Sequence, residues 1–427
     1  MQQYDSYKDS GVKWLGEIPS HWEVLALKHI LTSKKVLVGK HSSQYELLSL
    51  TLKGVVKRDM DNPEGKFPAS FDTYQAVEPN DFIFCNFDNE ETPRAVGLSP
   101  YKGMITGAYD VLSRNNPKLT DGFLIYYFLY IDDAKRFKPL YKGLRKTVPF
   151  DSFMSYKIPV PSIKEQNAIV SYLDTATAKI DAAIAQQQKM IDLLNERKQI
   201  IIDRAVTKGL NPYAKMKDSG VEWIGEVPEE WKILSIKRFV NVYTGKTPST
   251  TKEYYFENGD LNWYTPGDLN QFKLNDSERK VTVRAKREEA CPMFPPNTVY
   301  LVGIGGTIGK VSYSEQEASC NQQINALVPR KDFVYYKYLA YSLQILKVQI
   351  YQNANLSTLP IINQERTGAL LMLRPPLAEQ MMIVDYIEKA TQPIEAAIET
   401  ANKMISLLQE RKQIIINEVV TGKVKVV

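Results

Sequence analysis

From residue 169 onward, apolar or small positions recur in alternating steps of four and three: Ile169, Leu173, Ala176, Ile180, Ala183, Gln187, Met190, Leu194, Arg197 and Ile201. The same steps return at Ile383, Ile387, Ala390, Ile394, Ala397, Ala401, Met404, Leu408, Arg411 and Ile415. A stripe of this period is a heptad seam, so each stretch predicts one long helix with one apolar face. About 45 residues of helix span roughly 65–70 Å at 1.5 Å per residue. Ser162 followed by Glu165 has the spacing of a capping box at the first start, and Gly209 stands where a C-cap would end that helix. Pro393, inside the second pattern, removes a backbone donor and predicts a kink. Either stripe alone would face water. Each helix docks on its own globular domain or packs on the other, and the matching stripes favour an antiparallel coiled coil with Ile169, Leu173, Ile180 and Leu194 against Ile383, Ile387, Ile394 and Leu408.

Elsewhere the period changes. YELLSLTLKGVV (45–56), VTV (281–283) and TVYLV (298–302) are β-rich and bounded by turn residues. Helical patterns over Phe123–Ala134 and Tyr335–Val348 interleave with them. The chain between the long helices therefore reads as mixed α/β.

Two blocks are written twice. KDSGVKWLGEIPSHW (8–22) returns as KDSGVEWIGEVPEEW (217–231), and ERKQIIIDRAVTKG (196–209) returns as ERKQIIINEVVTGK (410–423). The chain is thus a tandem repeat of units of about 210 residues. Trp14 and Trp22 match Trp223 and Trp231, and all four are assigned to packing of the repeated frame. Between the kept blocks, residues 23–158 and 232–372 share almost nothing. The expected fold class is α/β: two mixed globular domains separated by two long helices, as a pseudo-twofold repeat. The expected domains are 1–158, a spacer helix over 159–210, a second domain over 211–372 with residues 206–216 as linker, and a second helix over 373–427.

Charge sharpens the picture. Residues 23–158 carry 19 Lys and Arg against 16 Asp and Glu, and residues 232–372 carry 17 against 12, while the whole chain is only +5. The excess of positive charge therefore lies in the diverged interiors, as expected if they face a polyanion. Three scattered cysteines, Cys85, Cys291 and Cys320, suit neither a disulfide framework nor a zinc site. With no apolar run long enough to span a membrane and a polar N-terminus, a cytoplasmic protein is expected.

Catalytic motifs are missing. GIGGTIGK (303–310) lacks the Walker spacing, since Ile304 and Val311 stand where Gly and Ser or Thr are needed. RPPL (374–377) and SPY (99–101) do not match the Asn-Pro-Pro-aromatic element of an amino-methyltransferase, and His21, His29 and His41 have no partners at metal-binding spacing. No nucleophile–base set is found. The expectation is a chain without catalytic residues, metal or cofactor.

The W-x-G-x-x-P-x-x-W block, together with VPSIKEQ (160–166) and PPLAEQ (375–380) leading into helices that end in ERKQIII, resembles the specificity subunit of type I restriction–modification enzymes. LLSLTLKGVVKRD, GAYDVL, TGKTPST, GGTIGKV and NQQINAL are similar to stretches of that family's target recognition domains. The resemblance implies a noncatalytic reader of double-stranded DNA that recruits two methyltransferase and two restriction–translocase subunits. S-adenosylmethionine, ATP and Mg would then belong to those partners. Two unlike domains on a helical spacer would read an asymmetric bipartite site.

Candidate phosphate contacts are Lys142, Arg145 and Lys146 in the first interior, and Arg284 and Lys286 within the run Arg279–Arg287 in the second. Candidate base readers are Lys57, Arg58 and Arg94 in the first, and Lys246, Asn321, Gln322 and Gln323 in the second. Thr247 and Lys310 join them from the TGKTPST and GGTIGKV stretches. Tyr109 and Tyr264 are read as core side chains, with packing on sugar or base methyls as the alternative. The rival reading is a coiled-coil adaptor whose globular domains bind proteins.

Overall fold

The computed structural model describes residues 2–59, 68, 70–221, 224–356 and 359–426, so Trp223 lies outside the described residues. The chain divides into two compact units, Met1–Lys189 with Ala401–Val427, and Met190–Thr400.

In the first unit, β1 (Leu31–Ser33), β2 (Phe82–Phe84), β3 (Val96–Leu98) and β4 (Asp110–Arg114) form one sheet in the order β1-β4-β2-β3. Helix α1 (Asp121–Asp133) covers it, its start capped by the Thr120 hydroxyl, which accepts from the Phe123 N–H. Phe82, Phe84, Phe123 and Phe128 fill the space between sheet and helix, with Phe84 and Phe128 edge to face at 4.9 Å. The stretch over 45–56 is a hairpin, Leu48–Thr51 against Gly54–Lys57. The long helix α2 (Ile163–Lys208) then begins in this unit.

The second unit repeats the plan. Its sheet holds β5 (Val240–Thr244), β6 (Thr298–Val302), β7 (Val311–Ser314) and β8 (Ile324–Pro329) in the order β5-β8-β6-β7, with Lys273–Leu274 added parallel to β7. Helix α3 (Tyr336–Ile345) covers it, and the long helix α4 (Leu377–Val420) follows. The two interiors share a topology that their sequences do not announce. Of VTV (281–283), only Val281 is in a strand; Val283 opens a short helix, Val283–Arg287, behind the Thr282 cap.

The kept blocks build the same joints in both units. Residues Tyr7–Asp9 pair with Glu17–Pro19, and Met216–Asp218 with Glu226–Pro228. The strand that follows each hairpin pairs with the strand that precedes a long helix: Glu23–Ala26 with Lys157–Val160, and Lys232–Ser235 with Leu371–Arg374. Trp22 and Trp231 are fully buried, whereas Trp14 lies at the surface, stacked on Tyr156 at 4.8 Å. The next shared joint is a buried glutamine. Gln166 takes the Thr120 N–H on its carbonyl and donates to the carbonyls of Lys118 and Pro161; Gln380 does the same with Tyr335, Phe333 and Pro375. Each glutamine ties the start of a long helix to the residue that begins the helix over its sheet.

Each unit is closed by a helix end from the other repeat. Ile416, Val419 and Val420 enter the core that holds Trp22, Ile169 and Leu173, while Ile202, Ala205 and Val206 enter the core that holds Trp231, Ile383 and Ile387. Within each unit the two helix segments run antiparallel, with Lys412 on Asp181 at 2.7 Å in the first and Lys198 on Glu395 at 2.5 Å in the second.

The seam departs from the heptad reading. Met190, Arg197, Met404 and Arg411 are exposed, and Ile169, Ile180, Ile191 and Ile202, eleven residues apart, are all buried. Ile383, Ile394, Ile405 and Ile416 repeat that step, with Ile405 half-buried. Eleven residues make three turns at 3.67 per turn, so a nearly straight helix keeps these positions on one face while a strict heptad drifts off it. Helix α4 runs through Pro393 without a break; the proline is on the exposed side.

Candidate nucleic-acid interface

Strand direction decides which side chains meet. Thr244, at the end of β5, pairs with Asn325 at the start of β8, and Val302, at the end of β6, pairs with Ile324. The segment after β5, the turn before β8 and the loop after β6 therefore share one end of the sheet. Gly245 is required there, because a Cβ would overlap the carbonyl oxygens of Cys320 and Asn321. That close approach lets Lys246 donate its N–H to the Cys320 carbonyl at 2.9 Å and sets the Thr247 hydroxyl 2.6 Å from Gln322 Oε1. Asn321 is turned inward, its Oδ1 accepting from the Gln323 N–H at 3.1 Å and its amide donating to Gln323 Oε1 at 3.0 Å. It shapes the turn. Lys246, Thr247 and Gln322 face outward around it, with Gln323 half-exposed beside Gly303, whose N–H donates to the Gln323 carbonyl. Lys310 closes the Gly-rich loop and donates to Asn270 Oδ1 at 3.1 Å.

Arg284 and Lys286 stand apart from that cluster on the short helix Val283–Arg287. Arg284 donates to Glu288 and lies 4.0 Å from the Tyr254 ring centre, and Lys286 donates to Glu317. Arg279 lies 4.3 Å from the Phe256 ring centre. These exposed pairs are weak and screened, so a phosphate can displace the carboxylate at small cost.

The first unit uses the same end of its sheet differently. Lys142 and Thr147 pair as a two-residue bridge whose turn carries Arg145 and Lys146. The Arg145 carbonyl accepts from the Asp88 N–H, which binds this turn to the loop after β2. Arg145 also forks onto the Asp88 carboxylate over the Phe87 ring, while Lys146 meets Glu90 and Glu91. Lys146 and Lys138 hold the Glu90 carboxyl down to about 2. Strand β4 opens on Asp110, whose pKa burial raises against the opposing bond from Asn86 at 2.7 Å. Lys34 and Lys35 follow β1 where Lys246 follows β5, with Lys34 on Asp81 at 2.8 Å. Sequence reasoning missed Asn86, Asp110, Lys34 and Lys35, since only the shared topology aligns them with the second unit.

Two first-unit candidates lie elsewhere. Arg94 is directed into the fold, 3.0 Å from Asp133 and 3.4 Å from the buried Asp132. Lys57 ends the strand Gly54–Lys57, 3.6 Å from Glu46 and 5.6 Å from the Tyr101 ring centre, and the Arg58 N–H donates to the Leu47 carbonyl. Tyr264 is fully buried, its hydroxyl 3.3 Å from Ser314, and Tyr109 is half-buried beside Leu48 and Val111. Among the described residues no cluster of His, Cys, Asp or Glu could hold a metal, and no helix is long and apolar enough to cross a membrane.

Known proteins carry the same design. The family model described as the type I restriction modification DNA specificity domain matches residues 99–191 and 228–404. A putative type I restriction enzyme MjaX specificity subunit of Methanocaldococcus jannaschii is 23% identical over 443 residues, covering 98% of each chain. The EcoR124I/EcoR124II specificity subunit of Escherichia coli is 26% identical over 284 residues, 63% of this chain and 64% of that one. A chain solved in a study of complex assembly and conformational transition of the type I R-M system shares the fold, with a TM-score of 0.67 and 15% identity over 95% of this chain and 99% of that one. The fold is a tandem repeat of two mixed α/β units built on two long helices. The chain belongs to the family of type I restriction–modification specificity subunits.

Proposed function

We propose that this chain reads an asymmetric, bipartite double-stranded DNA site, one half with each unit, and carries methyltransferase and restriction subunits to it without catalysis of its own. One observation supports this above others. Two sheets of the same topology, on one repeated frame, carry different polar side chains at the same end: Lys246, Thr247 and Gln322 in one, Asp110, Arg145 and Lys146 in the other. A shared scaffold with unlike readers suits two unlike half-sites. Lys57, Arg58, Lys142, Gln323, Arg284, Lys286 and Lys310 add contacts to bases or phosphates, whereas Arg94 and Asn321 shape the scaffold.

Partner docking falls to the kept blocks. Met190, Leu193 and Ile200 are exposed on α2, and their repeat equivalents Met404, Leu407 and Ile414 are exposed on α4. Two equal apolar stripes suit two copies of one partner, the methyltransferase subunit, with two restriction subunits joining the complex. S-adenosylmethionine, ATP and Mg are then the partners' cofactors, and the cytoplasm is the place of action. Sequencing methylated bases in cells that carry the partner genes, with residues 23–158 exchanged for another recognition domain, tests the reading. The exchange is expected to change one half of the methylated motif and keep the other. An unchanged motif would refute it.

A further inference from the structure

The Gly-rich loop after β6 belongs to no catalytic motif, yet it lines a donor-rich hollow of the second unit. This groove, of about 550 Å³, lies between Gly306–Val311 and the end of α2. Gly305 and Gly309 take positive φ, which folds the loop back on itself, so that Gly309 donates to the Val302 carbonyl and Ile308 to the Gly305 carbonyl. Gly306 and Thr307 are exposed, and among the described residues their backbone N–H groups have no partner. Three lysines line the same groove: Lys310 from the loop, Lys347 at the end of the sheet-covering helix region, and Lys198 from α2. Gln199 also lines it, its amide donating to Asp203 at 2.7 Å, and no carboxylate is itself among the lining side chains. Glu395, from the helix pair, meets Lys198.

The matching groove of the first unit shows that the basic lining is not imposed by the frame. It is lined by Gln413 and Ile416, the repeat equivalents of Gln199 and Ile202, but also by Asp133, Glu410 and Arg136, and measures about 280 Å³. A partner bound identically at both grooves would meet opposite charge. The second groove is therefore fitted to its own ligand.

We propose that this groove is an anion site for phosphate groups, held by the Gly306 and Thr307 N–H groups and by Lys198, Lys310 and Lys347. Exposed consecutive N–H groups in a glycine-rich turn form an anion-binding concavity, and ammonium groups around it supply the charge. Resting on the DNA-reading function proposed above, the site takes backbone phosphates beside the second half-site, and so extends the contact from the sheet end to the helical frame.

The test uses the full chain with duplex DNA and, separately, inorganic pyrophosphate. Each phosphate contact contributes about 0.9 to the slope of log affinity against log salt, so Lys310→Gln with Lys347→Gln is expected to lower that slope by roughly two. Lys331→Gln, an exposed change in the same unit outside the groove, is the control, and the double Lys→Arg variant is expected to restore the slope. Calorimetric titration with pyrophosphate should show one site, lost in the double Gln variant. If the wild-type chain binds no DNA, the DNA-reading function fails, and loss of the pyrophosphate site in the variant still supports the groove. A slope equal to that of the control, or pyrophosphate binding indifferent to the substitutions, overturns the proposal. So does preference of the groove for polyglutamate over pyrophosphate.

Discussion

The indole N–H of Trp22 donates to the Glu165 carboxylate at 3.2 Å, across 143 residues of chain, and Trp231 repeats the bond to Glu379 at 3.1 Å. The two carboxyls nevertheless shift in opposite directions. Burial pushes Glu165 up, but bonds from Ser162, His21 and Trp22 outweigh it and leave the pKa lowered. Ser162 donates both its N–H and its hydroxyl to Glu165, and accepts the Glu165 N–H in return. In the second repeat, Pro376 stands in the place of Ser162 and can do neither. Burial therefore prevails at Glu379, with Glu230 adding to the rise.

This asymmetry predicts opposite pH effects. A lowered carboxyl contributes stability that is present above its unfolded pKa and is lost as pH falls through the folded value. A raised carboxyl favours the fold only while protonated, and that contribution is lost as pH rises through the folded value. At neutral pH, Glu165→Gln should lower the urea midpoint and Glu379→Gln should hold or raise it. Below about pH 4, near the ordinary carboxyl pKa, the difference between the two variants should shrink.

Replacing either buried glutamine should be severe. Gln166→Leu or Gln380→Leu leaves one N–H and two carbonyls without their side-chain partner, at a cost of about 3 kcal/mol. Unfolding curves check this. Because the partners lie at the start of α1 and α3, hydrogen exchange should rise first at Thr120 in one variant and at Tyr335 in the other.

Two glycines with similar φ should respond differently to alanine. Gly422 has φ +76°, and a Cβ there would lie 2.5 Å from Pro19 Cδ and 2.9 Å from the Trp22 ring. Gly11 has φ +66° with nothing within 4 Å. Gly11→Ala should cost only the backbone term, about 1 kcal/mol, and Gly422→Ala should cost at least about 2 kcal/mol more through overpacking. Thermal unfolding of the two variants separates the terms.

Arginines of the first unit should divide by burial. Arg94→Ala leaves the half-buried Asp133 without its cation, while Asp132 keeps Lys135 at 2.7 Å, and should destabilise by about 2 kcal/mol while DNA affinity per folded molecule is kept. Arg145→Ala removes an exposed pair, so stability should hold while affinity falls. The reverse assignment, with Arg94 affecting DNA binding and leaving stability unchanged, would show that the guanidinium leaves its aspartates to reach the duplex.

The repeat, the long helices and the buried Trp22 and Trp231 were legible because they recur in one chain and can be compared directly. The seam was legible in its direction but not its period. Heptad and eleven-residue steps coincide from Ile169 to Ile180 and part only near Met190, where the apolar block MIDLL offers a side chain to either. The shared sheet topology was hidden because an interior strand needs only apolar side chains on the right faces, and Phe82–Phe84 and Val299–Leu301 meet that need with different residues. Among candidate readers, residue type alone could not separate Arg94 from Arg145. That depends on whether an acid from a distant element stands behind or in front of the guanidinium. Asn321 likewise has a reader's amide but spends it on its own turn.

The crossing of helix ends between the units bears on what a single repeat could do alone. A chain ending near Gly209 would lack Ile416, Val419 and Val420, the residues that seal the core around Trp22. It would carry Ile202, Ala205 and Val206 at the end of its own helix, three apolar residues at the same spacing. Two such chains can each lend the other the missing wedge, by the exchange of identical elements that makes dimers at low cost. Joining the two repeats in one chain supplies both wedges covalently and leaves each half free to change its interior alone without loss of the frame.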